Sequence, residues 1–279
     1  MTTSPAGTTA LRRARPIITL TVLRREQLSA HMIRIVAGGP GFGQFVNNGF
    51  VDRYVKISFL QPGVEYPQPL DLMAIKETMP REQWPVTRTY TIRWVDEAAQ
   101  ELAIDFVNHG DEGLAGPWAA NARPGDTFSF SGPGGAYNPD PDADWYLYAG
   151  DEAAIPAIAA AIESLPAHAR GLAFLEVDSE AEVQDIKAPA GLDLRWIFRR
   201  GGPAGAPEFL ATAVRTARWP AGTVQVFAHG ERGSMKALRE VFFSERGLER
   251  KQVSLSGYWA QGRVEDDFQA EKKLPIGQI

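Results

Sequence analysis

Cysteine is absent from the 279 residues. No disulfide, thiolate nucleophile or cysteine-held iron–sulfur cluster can form, so any redox chemistry must run through another group. Histidine is scarce: four residues, scattered without paired spacing, argue against a structural zinc or a non-haem iron site. Long apolar runs are missing too, and the longest candidate, Ala153 to Ile162, falls far short of a bilayer span. Neither charge dominates, since a net −5 spread along the chain leaves no nucleic-acid footprint and no polybasic membrane anchor. Residues Met1 to Arg15 lack the apolar core of a signal peptide and read as a disordered tail. These absences describe a cytoplasmic protein, expected to be a monomer, that neither binds nucleic acid nor inserts into a membrane. A Gly-x-Gly-x-x-Gly dinucleotide loop is also lacking. The glycine clusters Gly38 to Gly43 and Gly201 to Gly205 read as turns, because neither has the required spacing between a strand and a helix.

What is present is a balanced composition, 44% hydrophobic and 23% charged, on a chain long enough for two cores. Its texture changes around Gly132-Pro133-Gly134-Gly135 and Pro139-Asp140-Pro141-Asp142. Before that point six short β-rich runs alternate with turns: Ile17 to Leu23, His31 to Val36, Tyr54 to Phe59, Arg88 to Trp94, Glu101 to Val107 and Asp126 to Ser131. They predict a six-stranded antiparallel Greek-key β-barrel over residues 16–138. After it, apolar strands alternate with helical patterns: Trp145 to Ala149, Ala153 to Ser164, Leu172 to Val177, Leu194 to Phe198, Glu208 to Thr216, Thr223 to Ala228, Ser234 to Glu245 and Val253 to Ser256. That rhythm predicts a parallel-sheet α/β domain over 139–264, with 265–279 as a polar C-terminal tail. Gln61 to Val86 carries five prolines and is expected to be a loop with a short helix.

The richest stretch is Arg88-Thr89-Tyr90-Thr91-Ile92-Arg93, followed by Asp105-Phe106-Val107-Asn108-His109-Gly110. On a strand, Arg88 and Tyr90 share one face while the backbone around Thr91 offers hydrogen bonds. A guanidinium suits a phosphate, a phenol ring suits the face of a tricyclic ring, and a threonine hydroxyl can approach a ring nitrogen. Downstream, Gly113-Leu114-Ala115-Gly116 leads into a helical segment, Pro117 to Asn121, whose opening amides form a cradle for a pyrophosphate. Together these residues describe a flavin nucleotide held on a barrel. In the second domain, Gly150-Asp151-Glu152 and His229-Gly230-Glu231 end two strands and edge the crevice where α/β domains bind a dinucleotide. Asp151 and Glu152 suit helix capping or the neighbourhood of a nicotinamide better than a pyrophosphate.

These motifs, with Trp118-Ala119, Arg123-Pro124-Gly125-Asp126, Ile155-Pro156-Ala157-Ile158 and Ser256-Gly257-Tyr258-Trp259, resemble the siderophore-interacting proteins. These are FAD-dependent ferric-siderophore reductases of the ferredoxin-reductase-like superfamily, and the resemblance runs from about Ile17 to Val264. It implies FAD on the barrel, NADPH or NADH on the α/β domain, and a ferric siderophore as substrate. Hydride would pass from nicotinamide to flavin, and single electrons from flavin to chelated Fe(III), releasing Fe(II).

Carried over by residue, the resemblance places Arg88 at a flavin phosphate, Tyr90 on the ring system and Thr91 near its reactive nitrogen. Thr89, Asp105, Val107, His109, Gly113, Leu114, Ala115 and Gly116 complete the FAD contacts, with Tyr258 and Trp259 as a C-terminal aromatic pair. Trp118 reads as a core residue. Lys56 and Arg263 are the candidates for a basic entrance, and Lys272 and Lys273 lie in the expected tail. Relatives often have Gly-Pro-Ala-Ser where this chain has Gly113-Leu114-Ala115-Gly116, so a serine hydroxyl is missing. His229 and Ala260-Gln261 are further departures, and the latter weakens the case for a strongly anionic substrate. Two alternatives stay open: a flavin reductase-like enzyme with another acceptor, and a non-enzymatic flavin or siderophore binder.

Overall fold

Alternation builds the first strand, where Ile18, Leu20 and Val22 of β1 (Ile17–Gln27) point inward while Thr19 and Leu23 face solvent. In the computed structural model, which describes residues 16–110 and 113–279, β1 opens a closed barrel. The expected N-terminal tail, 1–15, lies outside the described residues. Five more strands follow: β2 (Met32–Gly38), β3 (Tyr54–Phe59), β4 (Val86–Asp96), β5 (Glu101–Val107) and β6 (Thr127–Gly134). They close in the order β1-β2-β5-β4-β3-β6 with every pair antiparallel, and the β1–β6 seam removes the open edges. Ile35, Ile57, Ile92, Ile104 and Phe130 fill the interior. Between β3 and β4 lies α1 (Leu72–Thr78), capped by the Asp71 carboxylate; between β5 and β6 lies α2 (Ala115–Asn121).

The second half alternates as expected: β7 (Trp145–Gly150), α3 (Ile155–Glu163), β8 (Arg170–Val177), β9 (Gly191–Phe198), α4 (Pro207–Thr216), β10 (Val224–Glu231), α5 (Arg232–Arg239) and β11 (Val253–Trp259). The five strands are parallel, in the order β11-β10-β7-β8-β9. Ile155, Ile158 and Ile162 of α3 cover one face with Tyr148 and Phe227. Leu210, Val214, Met235 and Leu238 from α4 and α5 cover the other. With both faces buried, β7 is buried throughout, as a central parallel strand must be. The order reverses between β7 and β10, which opens a crevice at their carboxyl ends.

Three differences from the sequence reading matter. First, β10 runs past Ala228 to Glu231 and β11 runs past Ser256 to Trp259, so the motif residues at both strand ends are themselves paired. Second, the glycine cluster Gly201 to Gly205 does join a strand to a helix, β9 to α4. Gly205 there has φ +75, and a Cβ on it would lie 2.4 Å from Glu231 Cγ, so the loop packs directly on the end of β10. Third, 265–279 is no extended tail: it forms α6 (Glu265–Glu271) and a turn at Pro275–Gly277. Phe268 is 1% exposed and anchors the helix, with ion pairs and backbone bonds from α5: Arg232 to Glu271 at 2.5 Å and Lys236 Nζ to the Ile276 carbonyl at 2.7 Å. One buried aromatic fixes a segment whose composition is otherwise polar.

The two halves meet along α3 and β4. Arg93 Nη2 lies 2.7 Å from Glu163 Oε1, and Glu182 accepts from Ser29 Oγ at 2.7 Å and from the His31 amide at 3.1 Å. Asp52 accepts from the amides of Ala136 and Tyr137, at 2.8 and 2.9 Å, fixing the connection between the domains. Among the described residues no helix is long and apolar enough to cross a membrane.

Candidate functional site

A cavity of about 430 Å³ opens where the barrel, the strand ends of the sheet and α6 converge. The barrel contributes Lys56, Thr89, Tyr90, Thr91, Asp105, Val107 and His109; β11 contributes Tyr258 and Trp259. Nine residues that the sequence placed at the flavin or its entrance thus share one wall system. Tyr90 presents a ring backed by Phe106, with centroids 4.4 Å apart, and Phe106 is backed in turn by Trp118 at 5.5 Å. That stack fixes a flat face at the cavity. Trp118 also packs edge-on against Phe59 and Phe128, as a core residue does. Burial pushes the Tyr90 phenol above its ordinary range, with Glu265 adding to the rise, so the ring meets the cavity neutral.

Several side chains are already engaged. Thr91 of β4 and Tyr258 of β11 both line the cavity. Asp105 borders the cavity but gives both oxygens to Arg34, at 2.7 and 2.8 Å; its carboxylate ties β5 to β2. His109 is exposed at the rim. Arg88 sits outside the cavity and turns towards α6, with Nε 3.7 Å from Glu265 and Nη1 3.6 Å from Asp266. Glu265 also accepts from the Thr89 amide at 3.2 Å. The acids of α6 therefore stand beside the cation assigned to a phosphate.

Gly113, Leu114, Ala115 and Gly116 likewise lie beside the cavity rather than on its wall. Gly113 is in the left-handed region at φ +80 with open space around it. Gly116 packs on β5, since a Cβ there would lie 3.0 Å from the Val107 carbonyl. Leu114 precedes α2 without a side-chain cap, and the buried Asn108 Oδ1, which a Cβ on Gly116 would meet at 3.1 Å, has no partner. A flat aromatic face, a cavity in the size class of cofactor sites, an unpartnered polar atom at Asn108 and nearby cations form a set of groups that fits a flavin nucleotide.

At the strand ends the acids are structural. Gly150 allows α3 to approach β10: a Cβ would lie 2.5 Å from the His229 carbonyl and 2.8 Å from Ala154 Cβ. Glu152 pairs with Arg199, which also reaches Glu176 at 3.3 Å. Two carboxyls, Glu152 and Glu176, share that one guanidinium. Burial, then the neighbouring Glu152, pushes Asp151 up to about 6; burial, then Asp151, pushes Glu176 up to about 7. Glu231 caps α5 through the amides of Gly233 and Ser234 and accepts from Gln261 N at 3.2 Å.

Two expected placements are corrected. The His229 ring does not face the crevice: it is buried against Phe227 (3.8 Å, stacked) and Tyr258 (5.0 Å, edge-on), with Nε2 3.0 Å from Ser254 Oγ. Burial pushes it down to about 3, so it packs as a neutral aromatic. Arg263 is off the cavity and donates to Glu271 at 2.7 Å, because the helix expected to be a tail supplies it with a carboxylate. What sequence reasoning missed is Tyr54, Ser256, Ala153, Pro156 and above all Glu265 and Gln269 on the walls, while Lys272, placed by the sequence in a tail, lines the cavity as well. The run Glu265-Asp266-Asp267 before Phe268 carried the available signal, an acidic first turn beside an apolar anchor.

Comparison with known proteins matches two family models: a siderophore-interacting FAD-binding domain over residues 21–137 and a siderophore-interacting protein over 143–262. An uncharacterized protein of Mycobacterium tuberculosis is 44% identical over 271 residues, 93% of this chain and 95% of its own length. The ferric vibriobactin reductase ViuB of Vibrio cholerae is 32% identical, covering 93% of this chain and 95% of its own. The NADPH-dependent ferric-chelate reductase of Escherichia coli is 32% identical, with 86% and 91% covered. Among solved structures, a siderophore utilization protein from T. fusca superposes with TM-score 0.78 at 34% identity, covering 89% of this chain and 94% of that one. The siderophore-interacting protein SipS of Aeromonas hydrophila gives 0.77 at 32%, covering 93% and 97%. The ferredoxin reductase of carbazole 1,9a-dioxygenase, 15% identical at TM-score 0.62 and covering 85% of this chain and 66% of that one, shares the fold.

Proposed function

From the premise that this chain belongs to the siderophore-interacting protein family of FAD-binding oxidoreductases, we propose that it passes electrons from NAD(P)H through FAD to siderophore-held Fe(III). The product is Fe(II), released for iron acquisition. The observation that carries this is the single cavity walled by both domains, Tyr90 and Thr91 on one side and Trp259, Ala153 and Pro156 on the other. When bound, FAD accepts a hydride and gives up electrons singly. One hydride supplies two electrons, so two ferric chelates are reduced while NAD(P)⁺ and one proton are left.

This chain's residues supply placement. Tyr90, held by Phe106 and Trp118, offers the ring system a fixed face; Thr89, Val107 and His109 border it. Arg88 and the backbone from Gly113 to Gly116 hold the phosphates. Magnitudes favour the phosphate over α6 for Arg88: a charge-assisted bond contributes about 1.5–3 kcal/mol, whereas a partly exposed ion pair contributes about 0.2–1 kcal/mol. Gly150, Asp151 and Glu152, with the ends of β10 at Gly230 and Glu231, frame the nicotinamide crevice. Lys56 and Lys272, both on the cavity wall, draw an oxygen-rich anionic chelate to the opening. Fe(II) carries less charge than Fe(III), so the chelator loosens on reduction. Electron transfer needs no general acid or base, in keeping with the neutral phenols around the cavity. NADPH is supported as donor by the 32% identical E. coli reductase. A cytoplasmic monomer completes the proposal.

The test is an anaerobic reaction of the FAD-loaded protein with NADH or NADPH and ferric siderophores of several classes, with a ferrous-specific chelator reporting product. Nicotinamide oxidation matched by ferrous iron is expected. No reduction of bound flavin by either nicotinamide, and no ferrous iron, sinks the proposal.

A further inference from the structure

The proline-rich stretch between β3 and β4, which the proposed function leaves unused, frames a second cavity of about 320 Å³, at the small end of the range for ligand sites. Leu72 and Ile75 of α1 and Val86 at the start of β4 supply apolar lining, and Trp84 supplies a flat aromatic wall. Side chains of the loop hold that wall in place. The Trp84 indole donates to the Met79 carbonyl at 3.0 Å, and Gln61 Nε2 donates to the carbonyls of Glu82 and Trp84, each at 2.7 Å. The Tyr66 hydroxyl accepts from the Gln61 amide at 3.1 Å and donates to the Gln83 carbonyl at 2.8 Å. A loop braced in this way leaves little ordering for a ligand to impose.

Charge selects what can enter. Lys76 and Arg81, both exposed, stand on the wall. Lys76 Nζ lies 5.7 Å from the centroid of the Trp84 ring, and neither cation has an ion pair among the described residues. Asp266, the one acid on this wall among the described residues, is turned to Arg88, 3.6 Å from Nη1. An aromatic face beside two unpaired cations fits a flat anion, an aryl ring that carries a phenolate or carboxylate oxygen. The ring stacks on Trp84, and its oxygen exchanges the cation–π contact for a stronger charge-assisted bond.

Position ties this cavity to the first. Thr87 lines the second cavity, whereas Thr89 and Thr91 line the first. Alternate residues share one face of β4, so the two openings follow each other at about 7 Å along the strand. Glu265 and Asp266, consecutive on α6, stand one on each wall. The phosphate cradle lies the other way: its Gly116 packs on β5, while the second cavity is built from the β3–β4 connection, and β4 runs between β5 and β3 in the barrel. We infer that the second cavity is a subsite for an aryl-anion arm of the iron chelate whose metal centre meets the first cavity. Chelates bearing phenolate or benzoate groups are then preferred over purely aliphatic hydroxamates, which have no ring for Trp84. That the arm belongs to a ferric chelate rests on the proposed function; the affinity of the cavity for an aryl anion does not.

The site is read with salicylate, an iron-free aryl acid, in FAD-loaded protein labelled with ¹⁵N at its seven tryptophan indoles. Trp84→Phe identifies the Trp84 N–H signal by its loss. Salicylate is expected to shift that signal saturably, and cyclohexanecarboxylate, which has the charge without the aromatic ring, to bind about three-fold more weakly or worse. Lys76→Gln combined with Arg81→Gln changes exposed side chains outside the bracing bonds, and is expected to weaken salicylate binding about five-fold or more. No saturable shift in the wild type, or unchanged affinity in the double variant, overturns the site. A shift seen without FAD and lost once FAD is loaded assigns the cavity to the cofactor and overturns it equally. The arm is read by equilibrium binding of redox-inert Ga(III) chelates, tris-catecholate against tris-hydroxamate, to FAD-loaded protein. The wild type is expected to prefer the tris-catecholate, and the double variant to lose about five-fold or more of that preference; an unchanged ratio overturns the substrate role. Wild-type protein that binds salicylate but reduces no ferric chelate sinks the proposed function and leaves the aryl-anion site standing.

Discussion

Arg88 illustrates how a single side chain can be identified by its strand position and yet be found facing elsewhere. Its place on β4, two residues before Tyr90, follows from a period of two; its turn towards Glu265 and Asp266 does not, because those acids arrive from a segment 177 positions downstream of Arg88 in the case of Glu265. Replacing Arg88 with alanine is expected to weaken FAD binding by about 10- to 100-fold, the worth of one charge-assisted bond. Glu265→Gln should strengthen it by no more than about five-fold, since it removes only a partly exposed pair. Flavin fluorescence titration measures both, and unchanged affinity in Arg88→Ala removes its phosphate role. Gly230 has φ +151, and a Cβ on it would lie 2.7 Å from Asp151 Oδ2. Gly230→Ala is therefore expected to destabilise the fold by about 1–3 kcal/mol through backbone strain and contact with Asp151; a denaturant midpoint equal to wild type would contradict the close approach. His229 and Asp151 show the limit of reading single residues from sequence. Both sit in motif positions, but whether a side chain enters a crevice or a core depends on neighbours from other strands.

Elements were legible in proportion to their apolar content. The six barrel strands and the alternation of the α/β half could be read because each carries a periodic buried stripe. The ends of β10 and β11 could not, since Gly230, Gly257 and the serines of β11 dilute the pattern where the strands are paired at the carboxyl edge of the sheet. Helix α6 was missed for a related reason: of its seven residues, only Phe268 is an anchor. Phe268→Ala is expected to cost about 3 kcal/mol locally, as the loss of a buried phenylalanine does, and to release α6 while the barrel and sheet stay folded. Limited proteolysis near Gly262 should then accelerate without a change in far-UV circular dichroism of the remaining domains. Resistance to cleavage equal to wild type would show that α6 is held by more than Phe268.

For the whole molecule, the carboxyl cluster at the strand ends makes stability depend on pH. Glu176 is raised from 4.5 to about 7 and Asp151 from 3.8 to about 6, so the folded protein holds protons that the unfolded chain has released. Stability from this source is present at low pH and is lost as pH rises through about 4.5 to 7. His229 acts oppositely: lowered from 6.5 to about 3, it costs stability as pH falls below 6.5. The urea midpoint is therefore expected to be higher at pH 6 than at pH 8, with Glu176→Gln shrinking that difference and His229→Phe enlarging it. A Glu176→Gln protein with the wild-type pH profile would show that Glu176 carries no such linkage.

The wall of the cavity is drawn from positions 54 to 272 of a 279-residue chain. During synthesis the barrel emerges first and can close, but Trp259 is made later and Lys272 is still inside the ribosomal tunnel when the sheet's last strand appears. A nascent chain therefore offers Tyr90 as an open ledge, not an enclosed pocket. Enclosure of the pocket therefore joins segments far apart in the sequence, and it is complete only when Trp259 and Lys272 have folded against a barrel made long before them.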